Sequence, residues 1–126
     1  MVTLLSCQPA DTIAGNVIKT ARRGDGAAVA IVTRSSGNAI TADTYYVYVQ
    51  GGTPTPDVRE VFSVTQSDPP RVHWEDNSKL VIDSDCGQIF SYTNLFDIIH
   101  REREASFERI FVHLNSGGLC TRGDKQ

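Results

Sequence analysis

Histidines and carboxylates at alternating positions are the residues of this chain whose types and spacing could bind a metal ion. His73 stands two residues before Glu75, so the two side chains would share one face of a strand. Together with a third partner, such a pair can ligate a metal. A solvated cross-strand pair has the same spacing and is far commoner. We therefore predict no metal site.

Three further acids, Asp76, Asp83 and Asp85, cluster around a predicted hairpin and its exit. Paired carboxylates can support acid–base catalysis or bind calcium. The calcium-loop spacing is absent, and hairpin turns favour Asp because its side chain bonds to nearby backbone. The sequence also lacks a nucleophile elbow and a phosphate-binding loop. We predict no catalytic residue, no cofactor and no enzymatic activity.

The three cysteines have different sequence contexts. Leu4-Leu5-Ser6-Cys7 is typical of a bacterial lipobox, which makes Cys7 a candidate lipid attachment site. A lipoprotein signal also needs a basic start and an apolar stretch, and only three residues precede Leu4. An ordinary N-terminal tail is the alternative.

If Cys7 carries lipid, Cys86 and Cys120 remain as a candidate disulfide in an oxidising compartment. The alternative is that all three thiols are free in a reducing cytoplasm.

Two tyrosines could form an aromatic binding face. Tyr46 and Tyr48 lie at alternating positions of an apolar segment and would project from the same face of a strand. Aromatic side chains also supply much of the core of a small sheet, so burial of both rings is the alternative.

The elements that must position these residues are short runs rich in Val, Ile, Tyr and Thr, each closed by Gly, Pro, Asn or Asp. Such runs are typical of antiparallel strands. Strands are predicted for residues 27–34, 41–50, 58–64, 87–92 and 107–114, and for a hairpin of 71–75 and 79–83. Residues 13–23 are compatible with either a helix or a strand.

One segment departs from the strand pattern. In residues 94–104, Asn94 can cap a helix and Leu95, Ile98 and Ile99 have helical spacing. The sequence thus predicts a single mostly-β domain, an antiparallel sheet or small sandwich of about six or seven strands with one short helix. We place the domain at residues 11–115, between an N-terminal tail (1–10) and a C-terminal tail (116–126).

Composition limits the partners. The chain has 126 residues and a net charge of −3, and its scattered basic residues argue against a nucleic-acid surface. No apolar run approaches the roughly 18–20 residues of a membrane-spanning helix. Contact with a membrane is therefore expected only through a lipid on Cys7.

The order of several short motifs resembles a family of small bacterial lipoproteins with a β-rich domain of unknown function. The motifs are Asn16-Val17-Ile18, Gly24-Asp25-Gly26, Ser36-Gly37-Asn38-Ala39-Ile40-Thr41, Val72-His73-Trp74 and Leu80-Val81-Ile82. The chain departs from the family pattern at Ser36, where a Cys is common, and at Arg23, where a Ser-Pro start is missing. The resemblance implies an extended 16–20 segment and an envelope setting, and it transfers no catalytic residue.

The expected function is a non-enzymatic envelope or periplasmic protein of the lipoprotein type that acts as a binding or interaction module with a protein partner. The alternative is a small cytosolic inhibitor, such as an immunity protein or a phage-encoded antagonist of host defence. The alternative applies if the match at residues 4–7 is chance.

Overall fold

The computed structural model describes residues 13–36, 43–85, 87–101 and 104–116. These residues form nine strands and no helix. The strands are β1 (Asn16–Arg22), β2 (Ala28–Ser35), β3 (Thr44–Gly51), β4 (Asp57–Thr65), β5 (Arg71–Asp76), β6 (Lys79–Ser84), β7 (Gln88–Tyr92), β8 (Leu95–His100) and β9 (Ser106–Ser116).

The strands form two sheets that share one core. The five-stranded sheet has the order β1-β2-β3-β4-β7 and is antiparallel throughout. The four-stranded sheet has the order β5-β6-β9-β8 and contains one parallel pair, β6 with β9. Val47 and Phe62 of the first sheet share a buried cluster with Leu80 and Ile82 of the second. The predicted mostly-β fold is confirmed, as two sheets rather than one. The described residues form nine strands rather than the predicted six or seven, and the β6–β9 pair is parallel rather than antiparallel.

The predicted hairpin is confirmed as β5 and β6. Val72, Leu80 and Ile82 are buried as their alternation indicates. In the turn, the backbone N–H of Ser78 donates to the Asp76 carboxylate over 2.8 Å, which is the backbone role expected of Asp there. Trp74 is partly buried, and its indole N–H donates to the carbonyl of Ala21 over 2.9 Å. This bond ties the second sheet to β1.

The extended conformation that the family resemblance implies for residues 16–20 is present as β1. The helix predicted for residues 94–104 is wrong, because Leu95–His100 form strand β8. The spacing of Leu95, Ile98 and Ile99 suits a helix, but Ile98-Ile99 is a β-branched pair that suits a strand. All six residues of β8 pair with β9. Non-local pairing therefore decides the conformation of this segment.

The loop between β3 and β4 forms hydrogen bonds with the edge of β8 that does not pair with β9. Gly52 has a φ of 114°, and a Cβ there would lie 2.5 Å from the carbonyl oxygen of Ile99, so only glycine fits. This close approach lets the N–H of Thr53 donate to Ile99 over 3.3 Å and the N–H of Arg101 donate to Thr53 over 2.7 Å. The loop thereby links the two sheets at one end of the sandwich.

The pairing of β9 is staggered. Its first half, from Ser106 to Phe111, pairs with β8, and its second half, from Phe111 to Ser116, pairs with β6 on the opposite side. Each half therefore has one neighbour strand among the described residues. The side of β9 that pairs with β8 in the first half is therefore an unpaired edge in the second half, within the four-stranded sheet.

Candidate functional site

A buried arginine organises the polar end of the sandwich. The side chain of Arg23 is only 2% exposed. Its guanidinium donates to Asp25 over 2.9 Å, to the carbonyl of Asn77 over 2.9 Å and to Glu108 over 3.0 Å. It also lies 5.8 Å from the ring centroid of Trp74, within the range of a cation–π contact. Arg23 thus joins the β1–β2 turn, the β5–β6 turn and β9.

The network continues through a histidine to a hydroxyl. His100 Nε2 lies 2.7 Å from a carboxylate oxygen of Glu108, and His100 Nδ1 lies 2.9 Å from Thr53 Oγ1. A hydroxyl, an imidazole and a carboxylate in this order also serve acyl-transfer enzymes. Here the carboxylate is held by Arg23, and the backbone of Thr53 is bonded on both sides to the β8 strand and the residue after it. The chain of bonds therefore connects the β3–β4 loop to the end of β8 and to β9.

The electrostatics of this polar end follow from the pairing. Burial alone would raise the pKa of Glu108, but hydrogen bonds from Arg23 and His100 and the charges of both lower it below its ordinary value. The hydrogen bond from Arg23 lowers the pKa of Asp25 in the same way. Burial opposes the charge of Arg23, and its two carboxylate partners outweigh burial and raise its pKa. All three groups are therefore charged near neutral pH.

The outer face of β8 and β9 carries apolar side chains in two rows. Leu95 lies opposite Phe111, and Ile99 lies opposite Phe107. Between the rows, Asp97 lies opposite Arg109, and the two form an ion pair of 3.2 Å. We call these six residues the β8–β9 outer face.

The aromatic residues of this face are accessible to solvent. Phe107 is 65% exposed and Phe111 is 53% exposed. Neighbouring exposed apolar side chains on a small domain are typical of an interaction surface, whereas scattered single ones need no explanation. The β8–β9 outer face is therefore the first candidate site.

A groove of about 490 Å³ adjoins this face. It is lined by Asp76, Ser78, Lys79, Tyr92, Asn94, Phe111, Val112 and His113. A second groove, of about 410 Å³, is lined by Arg59, Glu60, Val61, Thr93, Phe96, Asp97 and Ile99. Neither groove includes Thr53 or His100, so the hydroxyl–imidazole–carboxylate chain does not line either of them.

The predicted aromatic binding face is only partly available. Tyr46 is half-buried, but Tyr48 is buried, and its hydroxyl accepts from the N–H of Ala14 over 3.0 Å. The two rings stack at 6.0 Å between centroids. The interpretation of Tyr48 as an exposed contact is corrected, because the ring packs in the sheet and its hydroxyl has a backbone partner.

The structure separates the other candidate residues. His73 Nδ1 lies 3.9 Å from Asp83 Oδ2, and Lys79 Nζ lies 2.9 Å from Glu75 Oε1. His73 and Glu75 therefore have different partners. Within the described ranges, no group of three or more His, Cys, Asp or Glu side chains could hold a metal ion. Cys7, Cys86 and Cys120 lie outside the described residues, and the lipid and disulfide predictions stay predictions.

Sequence reasoning missed Arg23 and the exposed phenylalanines. Arg23 reads as a solvated charge beside a turn, although Asp25 two residues later is a signal for a local bridge. Phe107 and Phe111 belong to a segment that carries large apolar side chains on both faces, since Ile110, Val112 and Leu114 lie on the core side. One face of this strand packs in the core. Large apolar side chains on its other face were therefore the sequence feature that could have indicated a contact surface.

Across the described ranges, no helical segment has the length and apolarity that crossing a bilayer requires. Comparisons with protein-family models, with curated proteins and with solved structures found no match.

Proposed function

We propose that the chain is a non-enzymatic interaction module that binds another protein through the β8–β9 outer face. The observation that carries this proposal is the pair of apolar rows on that face, in which Phe107 and Phe111 are each more than half exposed. Burying one such aromatic side chain in an interface stabilises a complex by about 1.5–3 kcal/mol.

The ion pair between the rows favours a protein partner over a lipid surface. Insertion of the face into a bilayer would remove water from Asp97 and Arg109, and desolvation of charged groups is costly. Protein interfaces combine aromatic and Arg side chains with polar groups that keep their partners. The composition of the β8–β9 outer face matches that description.

For the setting, we propose the cell envelope, with Cys7 as the lipid attachment site. The support is the match of residues 4–7 to the lipobox pattern and the family resemblance. Metabolic labelling with an alkyne fatty acid tests it, because the chain should incorporate the label and a Cys7→Ser variant should not. A chain that stays unlabelled and is recovered with cytosolic proteins would favour the alternative, a small inhibitor.

Site-specific photo-crosslinking tests the proposed function. The photoreactive amino acid benzoylphenylalanine replaces Phe107 or Phe111 in the organism that encodes the chain, and Thr20 serves as the control. Thr20 is exposed on β1 of the five-stranded sheet, whereas β8 and β9 belong to the four-stranded sheet, so it lies outside the β8–β9 outer face. We expect the same protein adduct from positions 107 and 111 and no such adduct from position 20.

Two results would contradict the proposal. One is an absence of protein adducts at both phenylalanine positions. The other is the same set of adducts at position 20, because random collisions would then account for all of them.

A further inference from the structure

The second half of β9 has a free backbone edge beside the start of β8. The N–H of Val112 donates to the carbonyl of Asn94 over 2.9 Å, on the β8 side. Backbone groups alternate along a strand, so the N–H and carbonyl groups of Leu114 and Ser116 point to that same side. No described strand pairs with them there. We call this strip beside residues 112–116 the open lane.

The facing sheet provides an apolar floor for the open lane. On β7, Ile89 lies opposite Val64 and Tyr92 lies opposite Phe62. Both β4 partners are fully buried in the shared core. Cross-strand partners share a face, so Ile89 and Tyr92 also point between the sheets. Yet they are 43% and 41% exposed.

This exposure has a geometric cause. Residues on the core face of a sandwich are covered by the opposite sheet, and on the β8 side of residues 112–116 the opposite sheet has no described strand. Leu114, on the core side of β9, is likewise only partly buried. The unpaired backbone edge and the exposed apolar floor thus independently indicate the same position, at which one further strand would fit.

We infer that the open lane accepts an extended segment of a protein partner, which adds to β9 as a strand in line with β8. Added strands gain affinity from backbone hydrogen bonds and specificity from alternate side chains. The inference rests on the proposed function, since it names the form in which the partner binds. The open lane adjoins the β8–β9 outer face at Phe111, which also lines the groove.

The residues that line the open lane determine the length and the side chains of the segment that it can accept. The N–H and the carbonyl of Val112 already bond to Asn94 and Tyr92. Residues 113–116 therefore match a segment of about four residues, or about 13 Å at 3.3 Å per residue. Its alternate side chains should be apolar, because they would cover Ile89, Tyr92 and Leu114. A charge at those positions would be buried without a partner and is therefore excluded.

Two other sheet edges, those of β1 and β5, are less suited to an added strand. The edge strand β1 carries Lys19 and Arg22 and an irregular register at Ile18. The edge strand β5 carries charges at both ends. Charges and bulges protect edges from pairing. The open lane lacks a charged side chain among its floor residues.

The test uses phage-displayed random octapeptides as the probe and the full chain as the target. Enriched peptides should show alternate apolar positions. An enriched peptide, once synthesised, should bind an Ile89→Glu variant at least about tenfold more weakly, as expected for the loss of a large apolar contact. Ile18→Glu is the matched control, because Ile18 is 44% exposed on the opposite edge strand of the same sheet, and it should bind the peptide as the parent chain does.

A backbone variant provides a second test. Ser116 is exposed, and its N–H points into the open lane, so Ser116→Pro should remove one bond to the peptide and weaken binding. Ser116→Ala keeps the N–H and should leave binding unchanged. Bound peptide should also slow hydrogen exchange at the amide of Leu114.

Three results would overturn the inference. The first is equal peptide binding by Ile89→Glu and the parent chain. The second is protection of the Leu114 amide without peptide, because a segment of the chain itself would then occupy the lane. The third is a dimer that Ile89→Glu dissociates, because a second copy would then occupy it. If any of these occurs while positions 107 and 111 still crosslink to a partner, the strand inference fails and the proposed function stands.

Discussion

The hydroxyl of Tyr92 donates to the carbonyl oxygen of Val112 over 2.6 Å, and this bond spans the two sheets where β8 gives way to the open lane. Tyr92 belongs to the five-stranded sheet and Val112 to the four-stranded sheet. The phenol takes the place that a neighbouring strand would take on that carbonyl. The bond therefore marks the boundary between the closed part of the sandwich and its open edge.

A Tyr92→Phe variant should lower the free energy of unfolding by about 1 kcal/mol, because it leaves the Val112 carbonyl without this donor. Urea unfolding followed by Trp74 fluorescence measures the change. An unchanged unfolding midpoint would show that solvent replaces the bond without loss.

Two buried threonines should respond in opposite directions to the same substitution. Thr33 Oγ1 is buried and has no hydrogen-bond partner within the part of the chain that the structure describes. Thr65 Oγ1 donates to the carbonyl of Asp43 over 2.9 Å. Removing an unsatisfied buried hydroxyl stabilises a protein, and removing a satisfied one destabilises it.

We therefore expect Thr33→Val to raise, and Thr65→Val to lower, the free energy of unfolding by about 1 kcal/mol each. Valine has the shape of threonine, so each variant is the control for the other. Equal losses in urea unfolding of both variants would contradict the expectation for Thr33.

A Glu108→Gln variant should destabilise the fold by about 1 kcal/mol, because it removes one of the two carboxylates that balance buried Arg23. The effect is moderate because the Glu108 side chain is more than a third exposed and partly screened by solvent. Glu75→Gln is the control, since Glu75 forms a surface pair with Lys79. Equal effects of the two substitutions would contradict a special role for Glu108.

Acid should destabilise the fold through the same carboxylates. The pKa values of Glu108 and Asp25 lie below their ordinary values of 4.5 and 3.8. A group with a lowered pKa in the folded state stabilises the fold above its unfolded pKa and loses this contribution as the pH falls through the folded pKa.

Unfolding free energies measured between about pH 6 and pH 3 should therefore fall steadily below about pH 5. The decline should be shallower in Glu108→Gln, because one of the two carboxylates no longer titrates. Identical pH profiles of the variant and the parent chain would contradict this assignment.

Local sequence patterns were sufficient for the elements whose partners are near in sequence. The β5–β6 hairpin follows from alternation on both strands and from the turn residues between Asp76 and Ser78. The β8 strand could not be predicted from local patterns, because its conformation depends on pairing with β9 and on contact with Thr53, which is distant in sequence. The partners of Arg23 could not be predicted either, since Asn77 and Glu108 are 54 and 85 residues away in sequence.

The open lane could not be predicted for the same reason. It arises from the stagger with which β6 and β8 flank β9, and no local pattern encodes that stagger. The exposed phenylalanines are different, because their alternation with core residues was visible in residues 107–114. The sequence contained the signal for that surface, but only the sheet order shows that this face of β9 is uncovered.

The most direct test of the proposed binding function is the affinity of the crosslinked partner, once purified, measured by titration calorimetry. The Phe107→Ser/Phe111→Ser double variant removes the aromatic groups of the β8–β9 outer face. The control is Val17→Ser/Ile18→Ser, which removes exposed apolar groups from β1. We predict an affinity loss of at least about tenfold for the phenylalanine variant and no loss for the control. Equal affinities of the phenylalanine variant and the parent chain would contradict the proposal that this face binds the partner.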